Sequence, residues 1–399
     1  MTKEIRVPKG FRFSATTAGI KASGNPDLAL IEAPRSAPAA AVFTRNRVVA
    51  APVTVGRAHL KASKGKLRAI LVNAGNANCA TGKQGIVACE NSSRALAAAL
   101  NTQAKHILPS STGVIGVPLP VDKLLNGIPQ LVNQAGDSPE HVMAFARAIM
   151  TTDTRPKLAT AQIRLGDKTA TILGIAKGAG MIHPNMATML AYVVTDVAAS
   201  PKDLAKLLKH TADRTFNRIS IDGDTSTNDT LCLLASGASG LALSDKKVGR
   251  LFAAALLEVC GSLSEQIVAD GEGVKHVVRL RIKGAKSESE ADQIAKTIAH
   301  SPLVKTAWAG ADPNWGRILA AIGRSGIDLD PAKIDIHFGD IQVCRLGGAH
   351  PFSEQEAHAY LSEPNIQITI QLRRGQKAIE FLTCDLTSDY VHINADYTT

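Results

Sequence analysis

An α/β layered fold is the architecture this sequence predicts, and three observations lead to it. The chain has 399 residues, 45% hydrophobic but only 4% aromatic, so its core must be built from Ala, Val, Leu and Ile, side chains that suit close-packed α/β layers. Short β-type apolar runs are intermingled along the whole length with Ala-rich or amphipathic helical stretches, without a strict βαβ rhythm. No repeat at a fixed period and no low-complexity linker interrupts them. The length suggests two or three domains.

In chain order, residues 67–73 (Leu-Arg-Ala-Ile-Leu-Val-Asn) predict a buried strand and 74–82 a loop rich in turn residues. Residues 87–100 predict an Ala-rich helix leading to 106–116, and 139–150 another helix. The segments 161–165 and 169–175 flank Gly166-Asp167-Lys168, a hairpin signal. The apolar run 189–194 predicts a strand. Ser200 as N-cap and Pro201 in the first turn start a helix over 202–216, where Leu204, Leu207, Leu208 and Ala212 recur at helical spacing. A longer helix is expected over 247–268, then a half-exposed strand over 277–282, where apolar and basic side chains alternate. A helix over 288–299 after Ser287 and strands over 366–372 and 378–384 complete the reading. The break between the two halves, near residue 187, falls inside a compact motif, which favours processing within a folded protein over a join between independent domains.

The net charge of +10 admits a nucleic-acid partner. Yet Lys and Arg are dispersed, with no block of five or six, and few aromatics are available for base stacking. Attraction of small anionic substrates is the reading that remains, and no nucleic acid is expected. The six cysteines (Cys79, Cys89, Cys232, Cys260, Cys344, Cys384) form no Cys-x-x-Cys pair and mostly lie in apolar surroundings, predicting buried thiols in a reducing compartment. The histidines form no His-Glu-x-x-His arrangement, so no metal site is expected. The start, Met-Thr-Lys-Glu-Ile-Arg, lacks the apolar core of a signal peptide and an Arg-rich leader. No apolar run appears long enough to span a bilayer. The expectation is a soluble cytoplasmic protein with no membrane partner.

Chemistry concentrates in Lys177-Gly-Ala-Gly-Met-Ile-His-Pro-Asn-Met-Ala-Thr-Met-Leu-Ala191. Thr188 follows a small residue, stands downstream of a glycine-rich loop and precedes a β-type run. It is either an ordinary strand residue or a self-processing nucleophile. If the Ala187–Thr188 bond opens, Thr188 gains an α-amine, a base with a reference pKa of about 7.7–8.0, beside its own hydroxyl. In Ser110-Ser-Thr-Gly-Val-Ile-Gly116, small hydroxyl residues before Gly113 form either a strand-to-helix turn or an oxyanion hole. Asp222-Gly-Asp-Thr-Ser-Thr-Asn-Asp229 has Thr227 and Leu233 where a calcium loop needs Gly and Glu, so it reads as a dense turn with side chains bonding backbone N–H groups. Lys177-Gly-Ala-Gly180 lacks the third glycine and the acid of a dinucleotide fingerprint. Lys177 is either a solvated lysine or a cation near Thr188 for a substrate carboxylate. His183 is either structural or a base.

Together these stretches closely resemble the ornithine acetyltransferase family (glutamate N-acetyltransferases, the ArgJ proteins of arginine biosynthesis). The resemblance runs nearly end to end, through Pro8-Lys-Gly-Phe11, Phe43-Thr-Arg-Asn-Arg47, Val72-Asn-Ala-Gly-Asn-Ala-Asn78, Ser111-Thr-Gly-Val-Ile-Gly-Val-Pro118 and the Thr188 motif. It continues in Asp222-Gly-Asp-Thr-Ser-Thr-Asn-Asp229, Asp270-Gly-Glu-Gly273, Asp312-Pro-Asn-Trp-Gly-Arg-Ile-Leu319 and Asn394-Ala-Asp-Tyr-Thr-Thr399. It implies an α/β fold with αββα-type layers, similar to the self-processing DmpA-type aminopeptidases. It implies cleavage between Ala187 and Thr188 into an α chain, 1–187, and a β chain, 188–399, assembled as a heterotetramer. Thr188 would then be the nucleophile that carries acetyl from N2-acetyl-L-ornithine to L-glutamate by a ping-pong route, with no cofactor. Some members also take acetyl-CoA as donor. The family's oxyanion pair falls on Thr112 and Gly113. Its substrate contacts fall on Thr151 (favoured over Thr152), Lys177, Thr188, Glu272, Asn394 and Thr399. A related aminopeptidase or amidohydrolase activity is the alternative.

Overall fold

The computed structural model describes residues 4–183 and 189–396. The amino-terminal part contains β1 (Arg12–Thr16), β2 (Leu28–Phe43), α1 (Ala51–Ala62), β3 (Lys66–Asn76), α2 (Gly82–Ala99), β4 (Ile107–Val114), α3 (Val121–Asn133) and α4 (Pro139–Ala148). The hairpin β5 (Lys157–Leu165) and β6 (Lys168–Lys177) follows, then β7 (Leu190–Thr195), α5 (Pro201–Ala212), β8 (Thr230–Ala235) and α6 (Lys246–Ala269). The carboxy-terminal part runs through β9 (Val277–Ala285), α7 (Glu288–Ala299), α8 (Pro302–Ala309), α9 (Trp315–Gly323), β10 (Asp335–Phe338), β11 (Ile341–Arg345) and β12 (Gly348–Ala349). It ends with α10 (Glu354–Leu361), β13 (Asn365–Gln371), β14 (Lys377–Cys384) and α11 (Ser388–Asp396).

Among the described residues the first set of strands forms an 8-stranded sheet in the order β4-β3-β2-β8-β7-β6-β5, with β1 also on β2. Strand β2 changes partners along its length. Its first half lies between β1 and β3, the register slips between Glu32 and Ala37, and residues 39–43 then pair antiparallel with β8. This irregularity lets the sheet fold over on itself. Because successive side chains of a strand point to opposite faces, each half has two faces to bury. Phe13, Ile31, Ile70, Val72 and Leu108 of one half meet Leu173, Ile175, Tyr192, Val194, Cys232 and Leu234 of the other, with Phe145 of α4 among them. The alternate residues Leu28, Leu30, Ala69 and Leu71 pack under α2 and α3, while Ile172, Ala191, Val193, Leu231 and Leu233 pack under α5 and α6. The layers are helix, sheet, sheet, helix, as the sequence resemblance implied.

A second core lies between the 6-stranded sheet β12-β11-β10-β13-β9-β14 and the helices α7 to α10. It is stitched to the first by Leu382 and Cys384 of β14, which reach the α5–α6 core, and by Ser220 N–H donating to Leu382 O at 2.9 Å. The two cores do not divide at residue 187, since β6 and β7 on either side of it are antiparallel neighbours from Ile172↔Thr195 to Lys177↔Leu190.

Local signals account for several elements. Ser200 and Ser287 accept the N–H groups of Asp203 and Glu290 and so cap α5 and α7. On β9, Val278, Leu280 and Ile282 are buried, while Arg279 and Arg281 bridge to Glu380 on β14 at 3.0 and 2.7 Å. Helix α5 stops at Ala212, short of the expected residue 216, because a 3-10 turn over Phe216–Arg218 sends Phe216 into the core. All six cysteines are buried. One expectation is corrected: α6 does reach the length and hydropathy of a bilayer-crossing helix, with a mean hydropathy of 1.5. It lies against β5 and β6, with Phe252, Leu256, Val259, Leu263 and Ile267 in the core. A long core helix and a membrane helix share an apolar composition, so hydropathy does not separate them.

Candidate active site

Seven segments of the chain converge on one cavity of about 250 Å³. Its wall holds Thr112 and Gly113 from the end of β4, Thr151 and Thr152 after α4, Lys177 at the end of β6, and Met189 and Leu190 at the start of β7. Asp222 to Asp229 contribute from the loop before β8, Glu272 from the turn after α6, and Tyr390 and Asn394 from α11. The sequence-predicted residues Thr112, Gly113, Thr151, Lys177, Glu272 and Asn394 are therefore neighbours. Ala187, Thr188 and Thr399 lie outside the described residues; Met189, the residue after Thr188, is on the cavity wall.

The β4 corner is set by backbone that only glycine allows and by an asparagine network. Gly113 has φ +128°, and a Cβ there would stand 2.7 Å from Gly75 Cα and 2.5 Å from Asn76 N on β3. Asn228 Nδ2 donates to Ser111 O at 2.9 Å and to Ala77 O at 2.6 Å. Ser111 Oγ donates to Asn73 Oδ1 at 2.6 Å, and Asn73 Nδ2 to Asn76 O at 2.8 Å. The polar loops on β3 and before β8 thus hold the end of β4 in place. Ser110 to Gly113 continue the strand and do not form the strand-to-helix turn considered from sequence.

Lys177 organises the cavity floor. Its Nζ donates to Thr151 Oγ1 at 2.7 Å and to Thr112 Oγ1 at 3.2 Å. An ammonium has no acceptor, so Thr112 Oγ1 must accept here, which leaves the Thr112 O–H to donate elsewhere. Burial lowers the Lys177 pKa, and the Asp153 carboxylate 3.9 Å away opposes that shift. Burial would raise the Asp153 carboxyl, but Lys177, Lys157 and the Gly178 N–H hold it down at about 2. Asp153 Oδ1 accepts from Lys157 Nζ and Gly178 N, both at 2.6 Å, while Oδ2 accepts from Thr151 N at 3.0 Å. Asp153 therefore fixes both residues that flank the cavity floor. Sequence reading passed over it, attending to the threonines of Met150-Thr-Thr-Asp153; a buried acid two residues from Thr151 carries no local signature.

Glu272 sits opposite. Its backbone N–H donates to Ala179 O at 3.0 Å, and its carboxylate rests on Gly180, where a side chain would collide with it. Asn394 Nδ2 donates to Glu272 Oε2 at 2.8 Å, so α11 folds back over the site as the sequence reading required of the carboxy-terminal segment. Thr387 Oγ1 donates to Gly273 O at 2.7 Å and anchors the start of that helix. Asp222 accepts the N–H groups of Met181, Ile182 and Asp224, the dense turn expected of its loop. His183 is not among the residues that line the cavity and pairs with His300, Nδ1 to Nε2 at 3.1 Å; burial pushes its pKa down to about 4, a structural pairing rather than a base at the cavity. The chemistry on offer is a cation, hydroxyl donors and a carboxylate around a small space, which suits a zwitterionic ligand.

The family model for the ArgJ family matches residues 12–399. The arginine biosynthesis bifunctional protein ArgJ of Thermus thermophilus is 46% identical over 395 residues, covering 99% of this chain and 100% of that one. Its counterpart in Methylococcus capsulatus is 44% identical over 394 residues, 98% of this chain and 95% of the other. Among solved structures, ArgJ of Bacillus halodurans aligns with a TM-score of 0.50 and 41% identity over 52% of this chain and 98% of that chain. The ornithine acetyltransferase of Mycobacterium tuberculosis complexed with ornithine aligns with a TM-score of 0.40 and 41% identity over 45% of this chain and 94% of that one. With the family's sequence pattern covering almost the whole chain, the protein belongs to the ArgJ family, the acetyltransferases of arginine biosynthesis.

Proposed function

We propose that this chain cleaves itself between Ala187 and Thr188 and then moves an acetyl group from N2-acetyl-L-ornithine to L-glutamate through an acetyl-Thr188 intermediate. The Thr188 hydroxyl oxygen adds to the acetyl carbonyl carbon while its proton passes to the new α-amine. The Thr112 hydroxyl and the Gly113 N–H receive the oxyanion, a contribution of about 2.7–4 kcal/mol per donor. The intermediate collapses with the ornithine amine leaving and taking the proton. Glutamate's amine then attacks the ester by the reverse sequence and departs as N-acetylglutamate. Lys177 receives the substrate α-carboxylate. Glu272, held by Asn394, receives the ammonium group that marks ornithine, and Thr151 and Thr399 complete the contacts. Acetyl-CoA serves as a second donor in the same acylation half. The enzyme works in the cytoplasm as a heterotetramer of α chains (1–187) and β chains (188–399).

The observation that carries this reading is the convergence of Thr112, Gly113, Thr151, Lys177, Glu272 and Asn394 on one cavity whose wall continues into Met189. Two further facts support a two-chain enzyme. The β6–β7 and β2–β8 ladders would hold the two products together after the break. The solved Bacillus halodurans chain matches about half of this one while almost fully covered itself.

Denaturing mass spectrometry of the purified protein tests the processing claim: two fragments, ending at Ala187 and beginning at Thr188, are expected. Thr188→Ala should leave one intact chain without transfer activity. A single intact chain in fully active protein would refute the proposal. Measuring acetate release beside glutamate-dependent transfer separates a transferase from a hydrolase, since hydrolysis that dominates at saturating glutamate favours the aminopeptidase-like alternative.

A further inference from the structure

A buried lysine outside the cavity lining ties the two ends of the site together. Lys157, at the start of β5, has a fully enclosed side chain, and its Nζ donates to Asp153 Oδ1 at 2.6 Å and to Asp270 Oδ2 at 2.5 Å. Both carboxylates are enclosed as well, with side chains 0% and 2% exposed. Asp270 also accepts from Thr154 N at 3.1 Å and from Thr154 Oγ1. Such a triad is a weak source of stability, because well-packed apolar side chains of similar volume often do as well. What the charges add is a fixed geometry between the segment after α4 and the end of α6.

Each carboxylate leads to a different end of the cavity. Asp153 holds the Lys177 end, through Thr151 N at 3.0 Å, Gly178 N at 2.6 Å and the Lys177 ammonium at 3.9 Å. Asp270 follows the last residue of α6 and stands two residues before Glu272, whose N–H donates to Ala179 O at 3.0 Å. These contacts close a ring that runs from Lys157 through Asp153, Gly178 and Ala179, Glu272 and Asp270 back to Lys157. Lys177 and Glu272 are thereby spaced by a network with no loose link. Within it Lys157 and Lys177 balance Asp153 and Asp270, which leaves Glu272 as the unbalanced charge of the five.

We propose that Lys157 and Asp270 are positioning residues: they set the spacing between the Lys177 and Glu272 ends of the cavity and so select the chain length of the diamino acid whose acetyl derivative the site accepts. This rests on the reading that Lys177 receives the α-carboxylate and Glu272 the side-chain ammonium. A donor with one methylene more between those two groups cannot meet both ends while the ring holds.

The test measures kcat and KM of the full-length enzyme with N2-acetyl-L-ornithine and with its one-carbon-longer homologue N2-acetyl-L-lysine, L-glutamate being the acceptor. Wild type should favour the ornithine derivative about 10–200-fold in kcat/KM, the range that one methylene gives. Asp270→Asn keeps the shape and loses the charge that Lys157 holds. It should lower that ratio by about fivefold or more, chiefly through a raised KM for the ornithine derivative. A merely structural role would lower kcat for both donors by one factor and leave the ratio alone. Thr154→Val, at an exposed position, removes one hydroxyl from Asp270 and should move the ratio in the same direction; it decides the matter where Asp270→Asn does not fold. A ratio within about twofold of wild type in every folded variant would overturn the proposal, as would a wild type without preference. Glu272→Gln tests the underlying reading separately. A wild-type ratio in that variant refutes the assignment of Glu272 to the ammonium, whereas a collapsed ratio there beside an unchanged one in Asp270→Asn refutes only the spacing role.

Discussion

Gly180→Ala is a sharp test of whether Glu272 belongs to the working site. A methyl at Gly180 would stand 2.6 Å from both Cδ and Oε1 of Glu272, and closer still to Oε2. With non-bonded carbon contacts at about 3.5–4.0 Å, the carboxylate must retreat by roughly 1 Å. That retreat pulls Oε2 away from Asn394 Nδ2, now 2.8 Å distant. A misplacement of about 1 Å in a positioning group can cost about 100-fold, or about 2.7 kcal/mol of transition-state stabilisation. The fold should tolerate the change, because the displaced atoms end a flexible side chain and an added methyl offsets part of the cost by about 0.4–1 kcal/mol through the unfolded chain. Steady-state transfer with N-acetylornithine should therefore show kcat/KM about 10–100-fold lower, with the thermal midpoint within a few degrees of wild type. Glu272→Gln should produce a loss of similar size. A Gly180→Ala enzyme with kcat/KM within about threefold of wild type, and folded, would refute the placement of Glu272 at the substrate.

Other consequences follow from the same geometry. Thr112→Val keeps the volume and removes the hydroxyl that Lys177 turns toward the cavity, so kcat should fall about 10²–10³-fold with little change in KM, measured in the same assay. Gly113→Ala has no room between the backbones of β3 and β4, and a loss of about 2–5 kcal/mol in denaturant unfolding is expected. The depressed Asp153 pKa contributes stability that is present above the unfolded pKa of about 3.9 and is lost as pH falls toward the folded value of about 2, roughly 2 kcal/mol in all. Urea unfolding between pH 5 and pH 2 should show that slope in the wild type. Asp153→Asn should lack it and be less stable at pH 7 by about 3–5 kcal/mol, since Lys157 and Lys177 lose a buried partner.

Much of the architecture was legible because its signals are local. Ser200 and Ser287 announce helices through side chains that reach three residues along, and Gly166-Asp167 turns a hairpin. The alternation in β9 shows a face. Strand β2 was not legible, since Pro34, Arg35 and Pro38 argue against a long strand; it forms because the slip between Glu32 and Ala37 lets each half serve a different sheet partner. The loop before β8 was legible as a turn, but not as the brace of β4 that Asn228 makes it.

The sequence by itself determined the family and the layered α/β class, and through the resemblance to that family it named six residues that now share a cavity, because the family's motifs can be matched one segment at a time. Only the tertiary structure decided how those residues act on one another. It set Lys177 as donor to both Thr112 and Thr151, placed Asp153 behind them, and rested Glu272 on Gly180 under Asn394. The physical reason is distance along the chain. Propensity, capping and periodicity act over a few residues, whereas a hydrogen bond from residue 177 to residue 112, or a carboxylate from 272 pressed on 180, exists only once the two halves of the 8-stranded sheet have folded onto one another and excluded the water between them.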